Sequence, residues 1–252
     1  MITAHVVIKN EDRFIWYAIS SILPWVEKIL IYDTGSTDGT ISIIKSFQSK
    51  KIDLKQFNIS EVSEIAKLRN KQIQETDTDW FWIVDGDEVY PNALCEEIIK
   101  IIKVKGEQLE GVIVGRFDLL GDIYHYQDES VGSYNLLGKK GHLVLRLLNK
   151  KNITGLHVAG NYPYEEYFDR EEKDVIYHAQ DKFAFTKNKL FHAMYLQRST
   201  LGANLSNTLH RKKRKIELGI PLSPDILIPE VFKFAHPDFV ADVLIKRSIY
   251  YE

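Results

Sequence analysis

The sequence predicts an α/β fold in which helices cover both faces of a mostly parallel sheet. In the first hundred residues, apolar runs of strand length alternate with apolar stripes at helical spacing, in the order βαβαβαβα. Strands separated by helices pair in parallel, because each crossover returns the chain to the same end of the sheet. Polar residues follow three of the four strands, at the edge where such sheets bind ligands.

Each element has its own local signal. The first helix stripe begins at Phe14 and stops near Pro24, and small polar residues such as Ser36 and Ser60 can cap the next two helices. Pro91 suits the first turn of the fourth helix. The predicted strands are 2–8, 28–32, 52–57 and 80–84.

The second half of the chain divides differently. Residues 112–116, 143–148 and 175–178 resemble strands, and a polar, aromatic-rich loop separates the first two. From residue 181 onward the pattern is helical, so we predict one domain over 1–180 and a helical C-terminal extension over 181–252.

Composition excludes several function classes. A net charge of −2 over 252 residues gives no field that would attract nucleic acid. No apolar run reaches the roughly 18 residues of a membrane span, and the N-terminus lacks the layout of a signal peptide. The single cysteine, Cys95, excludes an intramolecular disulfide and a cysteine-cluster metal site. These features predict a cytoplasmic protein.

The sequence Asp85-Gly86-Asp87 follows the fourth strand directly. Two carboxylates at a strand end, with glycine between them, can converge on one hard cation such as Mn²⁺ or Mg²⁺. Such a cation would stabilise negative charge on a departing diphosphate. An acidic turn without metal is the alternative that this short motif leaves open.

A second polar segment runs from Asp33 to Thr40, after the second strand. A strand that ends in aspartate and turns through Gly, Ser and Thr into a helix can present a carboxylate and backbone N–H groups to a ligand. Asp33 could accept a hydrogen bond from N3–H of uracil. A capped turn that needs small residues explains the segment equally well.

Taken together, these segments resemble a known enzyme family. Lys9-Asn10-Glu11, Asp33 to Thr40, Lys67-Leu68-Arg69-Asn70 and Asp85-Gly86-Asp87-Glu88, in this order and spacing, resemble the nucleotide-binding half of family 2 glycosyltransferases, which are inverting enzymes of the GT-A fold. More loosely, the chain is similar to bacterial enzymes that glycosylate lipopolysaccharide cores. The match covers roughly residues 1–105, which implies a nucleotide-sugar-binding half there and an acceptor half over 106–180.

The resemblance implies roles for individual residues. Asn10, Glu11, Asp33, Arg69 and Asp85 would bind the nucleotide of a UDP-sugar donor. Asp87 would bind the metal directly, with Asp85 facing both ribose and metal. The family often supplies a further metal ligand from farther along the chain, and the candidates here are His157, after the strand 145–148, and His178.

The catalytic base is less well defined by sequence. Inverting transfer needs a carboxylate to take the acceptor's proton, and the resembled element has Glu directly after its histidine, where this chain has Val158. We predict Glu165 or Glu166 as the base and Asp118 as the next candidate.

The acceptor is predicted only as a class. Tyrosines within 124–167 could stack on sugar rings, which would suit a glycan. The basic run 211–215 (RKKRK) could contact anionic lipid headgroups. That contact would suit a lipid-linked saccharide and a location at the inner face of the membrane, although a solvated helix face explains the run as well.

Two other functions compete with glycosyl transfer. A sugar-phosphate nucleotidyltransferase would have a Gly-rich basic loop after the first strand, where this chain has Lys9 to Arg13 without glycine. A degenerate relative that only binds a nucleotide or glycan is the other alternative. A dinucleotide-dependent oxidoreductase is excluded, because no Gly-x-Gly-x-x-Gly occurs.

Overall fold

The computed structural model describes residues 1–61, 63–161, 163–201 and 219–245. Its centre is an eight-stranded sheet in the order β3-β2-β1-β4-β10-β6-β13-β5. The strands are β1 (Ile2–Ile8), β2 (Lys28–Asp33), β3 (Ile52–Gln56), β4 (Trp80–Ile83), β5 (Glu88–Val89), β6 (Gly111–Asp118), β7 (His125–Gln127), β8 (Tyr134–Leu136), β9 (Lys139–Gly141), β10 (Leu143–Asn149), β11 (His157–Ala159), β12 (Glu166–Phe168), β13 (Phe183–His192) and β14 (Gly219–Pro221). The helices are α1 (Ile15–Ile22), α2 (Thr40–Ser46), α3 (Glu64–Gln74) and α4 (Asn92–Lys105).

The central sheet is mixed and mostly parallel. Strands β1 to β4 pair in parallel, and β13 pairs in parallel with β6. Strand β10 runs antiparallel between β4 and β6, and the short β5 runs antiparallel to β13. The predicted α/β fold of the GT-A type is confirmed by this arrangement.

Helices cover both faces of the sheet, as predicted. Alternation along β4 divides the core: Trp80 and Trp82 join the cluster that includes buried residues of α1, α2 and α4. Phe81 and Ile83 point to the other face, where they join Ala66 of α3 in a second cluster. Apolar side chains on both faces explain why β4 reads as one continuous hydrophobic run.

One edge of the sheet collects the polar strand ends. Strands β1, β2, β4, β6 and β13 all run in the same direction, so the residues after β1 and β4 and the last residues of β2, β6 and β13 come to the same edge. This edge is where α/β sheets bind ligands.

The helical C-terminal extension predicted for 181–252 is not confirmed. Within the described part of that segment, Phe183–His192 forms β13, which is hydrogen-bonded inside the central sheet. Its Leu190 and Phe191 are buried, so apolar residues that we had assigned to a helix stripe belong to a strand. The sheet therefore crosses the boundary predicted at residue 180.

Three smaller expectations can also be compared with the structure. The strand predicted at 175–178 is instead a short 3₁₀ helix over Val175–Tyr177, capped by the carboxylate of Asp174. The basic run 211–215 lies outside the described residues. In the described ranges, no helix combines the length and apolarity needed to cross a bilayer.

A buried histidine in β1 makes the fold sensitive to pH. His5 stacks on Phe81 with ring centroids 4.5 Å apart and approaches the hydroxyl of Thr76 at 2.5 Å. Burial, reinforced by the positive charges of Arg69 and Lys150, lowers the pKa of His5 well below 6.5. Between that lowered pKa and 6.5 the unfolded chain binds a proton that the folded chain does not, so stability falls as pH falls through this window.

We expect the free energy of unfolding to drop more in the wild type than in His5→Gln when pH falls from about 7.5 to about 5.5. The glutamine keeps a hydrogen-bonding group near Thr76 and does not titrate. Urea unfolding at both pH values measures the difference. An equal drop in the two proteins would show that His5 contributes nothing to the pH dependence.

Candidate active site

A cavity of about 1010 Å³ opens at the carboxyl edge of the sheet. This volume is at the upper end of the roughly 300–1,000 Å³ typical of ligand sites. Among the described residues that line it are these predicted site residues: Glu11, Arg69, Asp85, Asp87, Glu165 and Glu166. Its described lining does not include these others: Asn10, Asp33, Asp118, His157 and His178.

The turn after β4 places Asp85 and Asp87 next to the carboxyl end of β1. The backbone N–H of Glu88 donates to the Asp85 carbonyl at 3.1 Å, which closes the turn. A Cβ on Gly86 would lie 2.8 Å from Cγ of Glu11. Glycine between the aspartates therefore lets Glu11 pack against the turn, which explains a residue that metal binding alone would not require.

Asp85 is held by arginines. Arg146, on β10, donates from Nη2 to Oδ2 of Asp85 at 2.7 Å, and Nη2 of Arg69 lies 4.0 Å from its other oxygen. Burial raises the pKa of Asp85, but the charges of Arg146 and Arg69 outweigh burial and lower it to about 2. Asp85 is thus ionised at any physiological pH.

The same Arg146 neutralises a second, fully buried acid. It donates to Oε1 of Glu88 from Nη2 at 2.5 Å and from Nε at 3.0 Å. The hydroxyl of Tyr90 donates to the other oxygen of Glu88 at 2.9 Å. Arg146 is therefore the cation that pairs with both Asp85 and Glu88.

Asp87 faces a histidine that the sequence analysis did not single out. Nε2 of His192, the last residue of β13, lies 3.5 Å from Oδ2 of Asp87, and its Nδ1 lies 3.0 Å from Oδ1 of Asp118. Burial lowers the pKa of His192, but the carboxylates of Asp87 and Asp118 raise it above its usual value overall. His192 lines the cavity, whereas Asp118 lies behind it.

The position of Asp118 changes its predicted role. It is 2% exposed, and Nε of Arg116 lies 2.9 Å from its Oδ1, besides its contact with His192. Burial raises the pKa of Asp118, yet the hydrogen bond from His192 and the Arg116 charge lower it overall. A buried carboxylate with these partners cannot readily take an acceptor's proton, so we replace the base prediction with one of orienting His192.

The donors around Asp87 fit a divalent cation in kind. Carboxylate oxygens of Asp85 and Asp87 with an imidazole nitrogen of His192 are a ligand set suited to Mn²⁺, and Asp118 supplies the carboxylate that often orients a ligating histidine. Within the described ranges, no three acidic, histidine or cysteine side chains are already arranged as a metal cluster. Asp85 would therefore have to share its carboxylate between Arg146 and an ion.

Glu11 is a buried acid with one satisfied oxygen. Its Oε1 lies 3.2 Å from Nη1 of Arg198, and its Oε2 is buried without a hydrogen-bond partner among the described atoms. Burial, with the nearby charge of Asp87, raises the pKa of Glu11 well above its usual value. Glu11 borders the cavity as predicted.

Asp33 and Asn10 stabilise the loops around the cavity without lining it. Asp33 is fully buried, and its carboxylate accepts from the backbone N–H of Gly35 at 3.1 Å and of Ser36 at 3.1 Å. Asn10 has a positive φ of 57° and accepts from the backbone N–H of Thr37 at 2.8 Å. The expected direct contact of Asp33 with uracil is therefore replaced by a turn-forming role, because its oxygens face the turn.

The two predicted histidine ligands are elsewhere. His157 lies near Glu172 at 3.3 Å and its Nδ1 is 3.0 Å from the Gly155 carbonyl oxygen. His178 lies between Glu110 at 2.5 Å and Asp169 at 3.1 Å. Neither histidine lies near Asp87, and His192 takes the position that we expected one of them to have.

The two candidate bases differ in their surroundings. Glu165 accepts from Nε of Arg69 at 3.1 Å, and its side chain is 8% exposed. Glu166 is exposed, and it forms a hydrogen bond with Asp174 when one of the two carboxyl groups is protonated. Partial burial, the Asp174 charge and that hydrogen bond raise the pKa of Glu166.

A sequence comparison decides the family. The model of "Glycosyl transferase family 2" matches residues 3–195. The chain belongs to glycosyltransferase family 2. The match extends through β13 to His192, beyond the part in which the resemblance was first seen.

Among curated proteins, this family 2 chain is similar to the SPbeta prophage-derived glycosyltransferase SunS of Bacillus subtilis. The two are 27% identical over 104 residues, which is 41% of this chain and 24% of SunS. It is also 25% identical to the lipopolysaccharide core biosynthesis glycosyltransferase LpsC of Rhizobium meliloti over 130 residues, 52% of this chain and 47% of LpsC. The matched region thus spans less than half of either relative.

Two solved structures also match this chain, both at low sequence identity. S. aureus TarS 1-349 has a TM-score of 0.46 at 13% identity, covering 76% of this chain and 60% of TarS 1-349. Glucosyl-3-phosphoglycerate synthase from Mycobacterium tuberculosis, in complex with Mn²⁺ and UDP-glucose, has a TM-score of 0.33 at 19% identity, covering 47% of this chain and 44% of that one.

Sequence reasoning missed three site residues: Arg146, His192 and Arg198. Arg146 lay inside a predicted strand, but nothing local indicated that it faces the acids rather than solvent. His192 ends a strand that we assigned to a helix. Arg198 follows that strand, and only the tertiary structure brings it to Asp87 at 3.4 Å.

We expect Arg146→Met to lower the free energy of unfolding by about 3–5 kcal/mol, because it leaves the fully buried carboxylate of Glu88 without its cation. Adding Glu88→Gln should recover part of the loss, since the amide carries no charge. Exposed Arg170→Met, the control, should stay within about 0.5 kcal/mol of wild type. Chemical denaturation measures all of these variants. An Arg146→Met protein as stable as the control would contradict the assigned role.

Proposed function

We propose that the protein is a metal-dependent, inverting glycosyltransferase that moves a sugar from a UDP-sugar to an acceptor. The observation that carries the proposal is the meeting of Asp85, Asp87 and His192 in one cavity at the carboxyl edge of the sheet. Membership of family 2 supports the reaction class. UDP is the carrier that the resemblance implies.

The acidic end of the cavity would bind the donor's diphosphate through a cation. Asp87 and His192 would hold Mn²⁺ or Mg²⁺, with Asp85 as a further oxygen ligand. The bound ion would neutralise charge on the leaving diphosphate and act as a Lewis acid. Asp118 would keep Nε2 of His192 directed at the ion through its contact with Nδ1, 3.0 Å away.

The nucleoside would occupy the part of the cavity between the β1 and α3 sides. Thr34, Ile59 and Ser60 line that region, and Arg69 from α3 lies beside Asp85. An apolar side chain with nearby hydroxyl and guanidinium donors suits a base and ribose. Asp33 would act indirectly, by fixing the turn that presents Thr34.

Glu166 is the proposed catalytic base. It lines the cavity, is exposed to an entering acceptor and has a raised pKa, so it is a better proton acceptor than a carboxylate in an ion pair. Glu165 is bound to Arg69 and would instead position that arginine against the donor. Proton removal by Glu166 as the acceptor oxygen attacks, and departure of the diphosphate on the opposite side, together invert the anomeric carbon.

The acceptor end of the cavity is more apolar than the donor end. Leu143 and Leu145 of β10, Leu136 of β8 and Ile176 line it and pack on one hydrophobic cluster. An aliphatic wall of this kind favours an acceptor with an apolar part, such as a lipid-linked saccharide, over a fully polar free sugar. Tyr134, half exposed on the same wall, can stack on a sugar ring.

We expect Asp87→Asn to weaken UDP binding in the presence of Mn²⁺ by about a hundredfold or more. The lost contact with a charged group is worth about 3 kcal/mol of binding free energy, which corresponds to a change in affinity of about a hundredfold. Asp53→Asn removes a carboxylate near the start of β3, remote from the carboxyl edge, and should bind like wild type. Calorimetric titration with UDP, GDP and dTDP, with Mn²⁺ or with chelator, measures the affinities.

Two results of that titration would reject parts of the proposal. Metal-independent UDP binding, or full affinity in Asp87→Asn, would reject the metal role. Preference for GDP would reject the carrier. Binding of a UDP-sugar with no turnover of any acceptor or of water would favour the alternative of a catalytically degenerate binding module.

We expect Glu166→Gln to lower turnover by about 10²–10⁴-fold with donor affinity unchanged, since general-base removal acts on the chemical step. Glu165→Gln should instead weaken donor binding, because Arg69 loses its partner. Exposed Glu171→Gln is the matched control. Rates of UDP release from the donor and separate binding titrations distinguish these effects. Unchanged turnover in Glu166→Gln would exclude Glu166 as the base.

A further inference from the structure

Arg198 places a positive charge next to Asp87, the proposed metal ligand. Its Nη1 lies 3.4 Å from Oδ2 of Asp87 and 3.2 Å from Oε1 of Glu11. Both distances exceed the roughly 2.7–2.9 Å of strong charge-assisted hydrogen bonds. The guanidinium is therefore held between two acids by charge, without a tight hydrogen bond to either in these two contacts.

The backbone around Arg198 is anchored by hydrogen bonds. The Arg198 carbonyl accepts from the backbone N–H of Arg13 at 3.1 Å. The next two residues are anchored too: Ser199 donates to Asp38 at 2.6 Å, and the backbone N–H of Thr200 donates to Asp12 at 2.8 Å. From this anchored backbone the Arg198 side chain, 46% exposed, reaches the cavity wall.

A divalent cation and Arg198 need the same oxygen. Oδ2 of Asp87 faces both Nη1 of Arg198 and Nε2 of His192. A cation bound by Asp87 and His192 would repel the guanidinium, because like charges at such short range are unfavourable. The nucleotide diphosphate is the anion that would enter the cavity with the cation, and a guanidinium fork matches phosphate oxygens in geometry.

We propose that Arg198 is a diphosphate-binding residue that exchanges partners, pairing with Asp87 and Glu11 until metal and nucleotide enter and then with the donor's phosphates. This inference rests on the proposed function, since it needs a diphosphate in the same cavity. It makes Arg198 a competitor of the metal alone and a ligand of the metal–nucleotide complex. The two effects have opposite signs, which a merely structural arginine would not produce.

The test measures two affinities in Arg198→Ala. The affinity for Mn²⁺ alone, followed by the electron paramagnetic resonance signal of free Mn²⁺, should rise about two- to fivefold, the range of a partly exposed ion pair. The affinity for UDP at saturating Mn²⁺, followed by calorimetry, should fall about ten- to hundredfold, the range of a hydrogen-bonded contact with a charged group.

Two further variants separate charge from geometry. Arg198→Lys keeps the positive charge near Asp87 but lacks the fork, so its Mn²⁺ affinity should match wild type while its UDP affinity falls partway. Exposed Arg170→Ala, outside the cavity lining, should change neither affinity.

The outcomes separate this inference from the proposed function. Tighter Mn²⁺ binding together with weaker UDP binding in Arg198→Ala supports it. If wild type binds UDP with Mn²⁺ and either affinity is unchanged in Arg198→Ala, the exchange is overturned while the proposed function stands. If wild type binds no UDP in the presence of Mn²⁺, the proposed function fails and the exchange fails with it.

Discussion

Negative charge at the carboxyl edge of the sheet is the constraint on which the rest of the site depends. Glu11, Asp87 and Glu88 are all less than a tenth exposed, and Asp85 stands beside them. A buried carboxylate is costly unless it is paired and hydrogen-bonded. Arg146, on the antiparallel strand β10, neutralises Asp85 and Glu88 together, which explains why a buried arginine interrupts the aliphatic run of that strand.

The same constraint separates the acids by function. Asp85 and Glu88 have a permanent cation, whereas Asp87 and Glu11 share the more distant and half-exposed Arg198. Asp87 is thus the acid whose cation can most easily be exchanged, which suits the residue proposed to bind a metal. Gly86 allows this arrangement, because a side chain there would collide with Glu11. Structure and proposed chemistry therefore depend on one short turn.

Much of the fold was predictable because its signals are local. The strands β1 to β4 and β6 show as apolar runs, and the direction of parallel strands brings Glu11, Asp85 and Asp87 together without further information.

The helix assigned after residue 181 was wrong for Phe183–His192, because the buried residues of β13 follow no strict alternation and resemble a helix stripe. For that reason His192 was not predicted as a site residue, since it neighbours Asp87 only through the pairing of β13 with β6. The partners of Asp33 and Asp118 could not be predicted either, since the sequence shows where a carboxylate lies along the chain but not which way it faces.

The most direct test is a crystal of the protein soaked with UDP and Mn²⁺, with data collected at a wavelength where manganese scatters anomalously. We predict an anomalous peak within coordination distance of Asp87 and Nε2 of His192, in contact with the diphosphate. A peak elsewhere, or a nucleotide bound away from the carboxyl edge of the sheet, would contradict it.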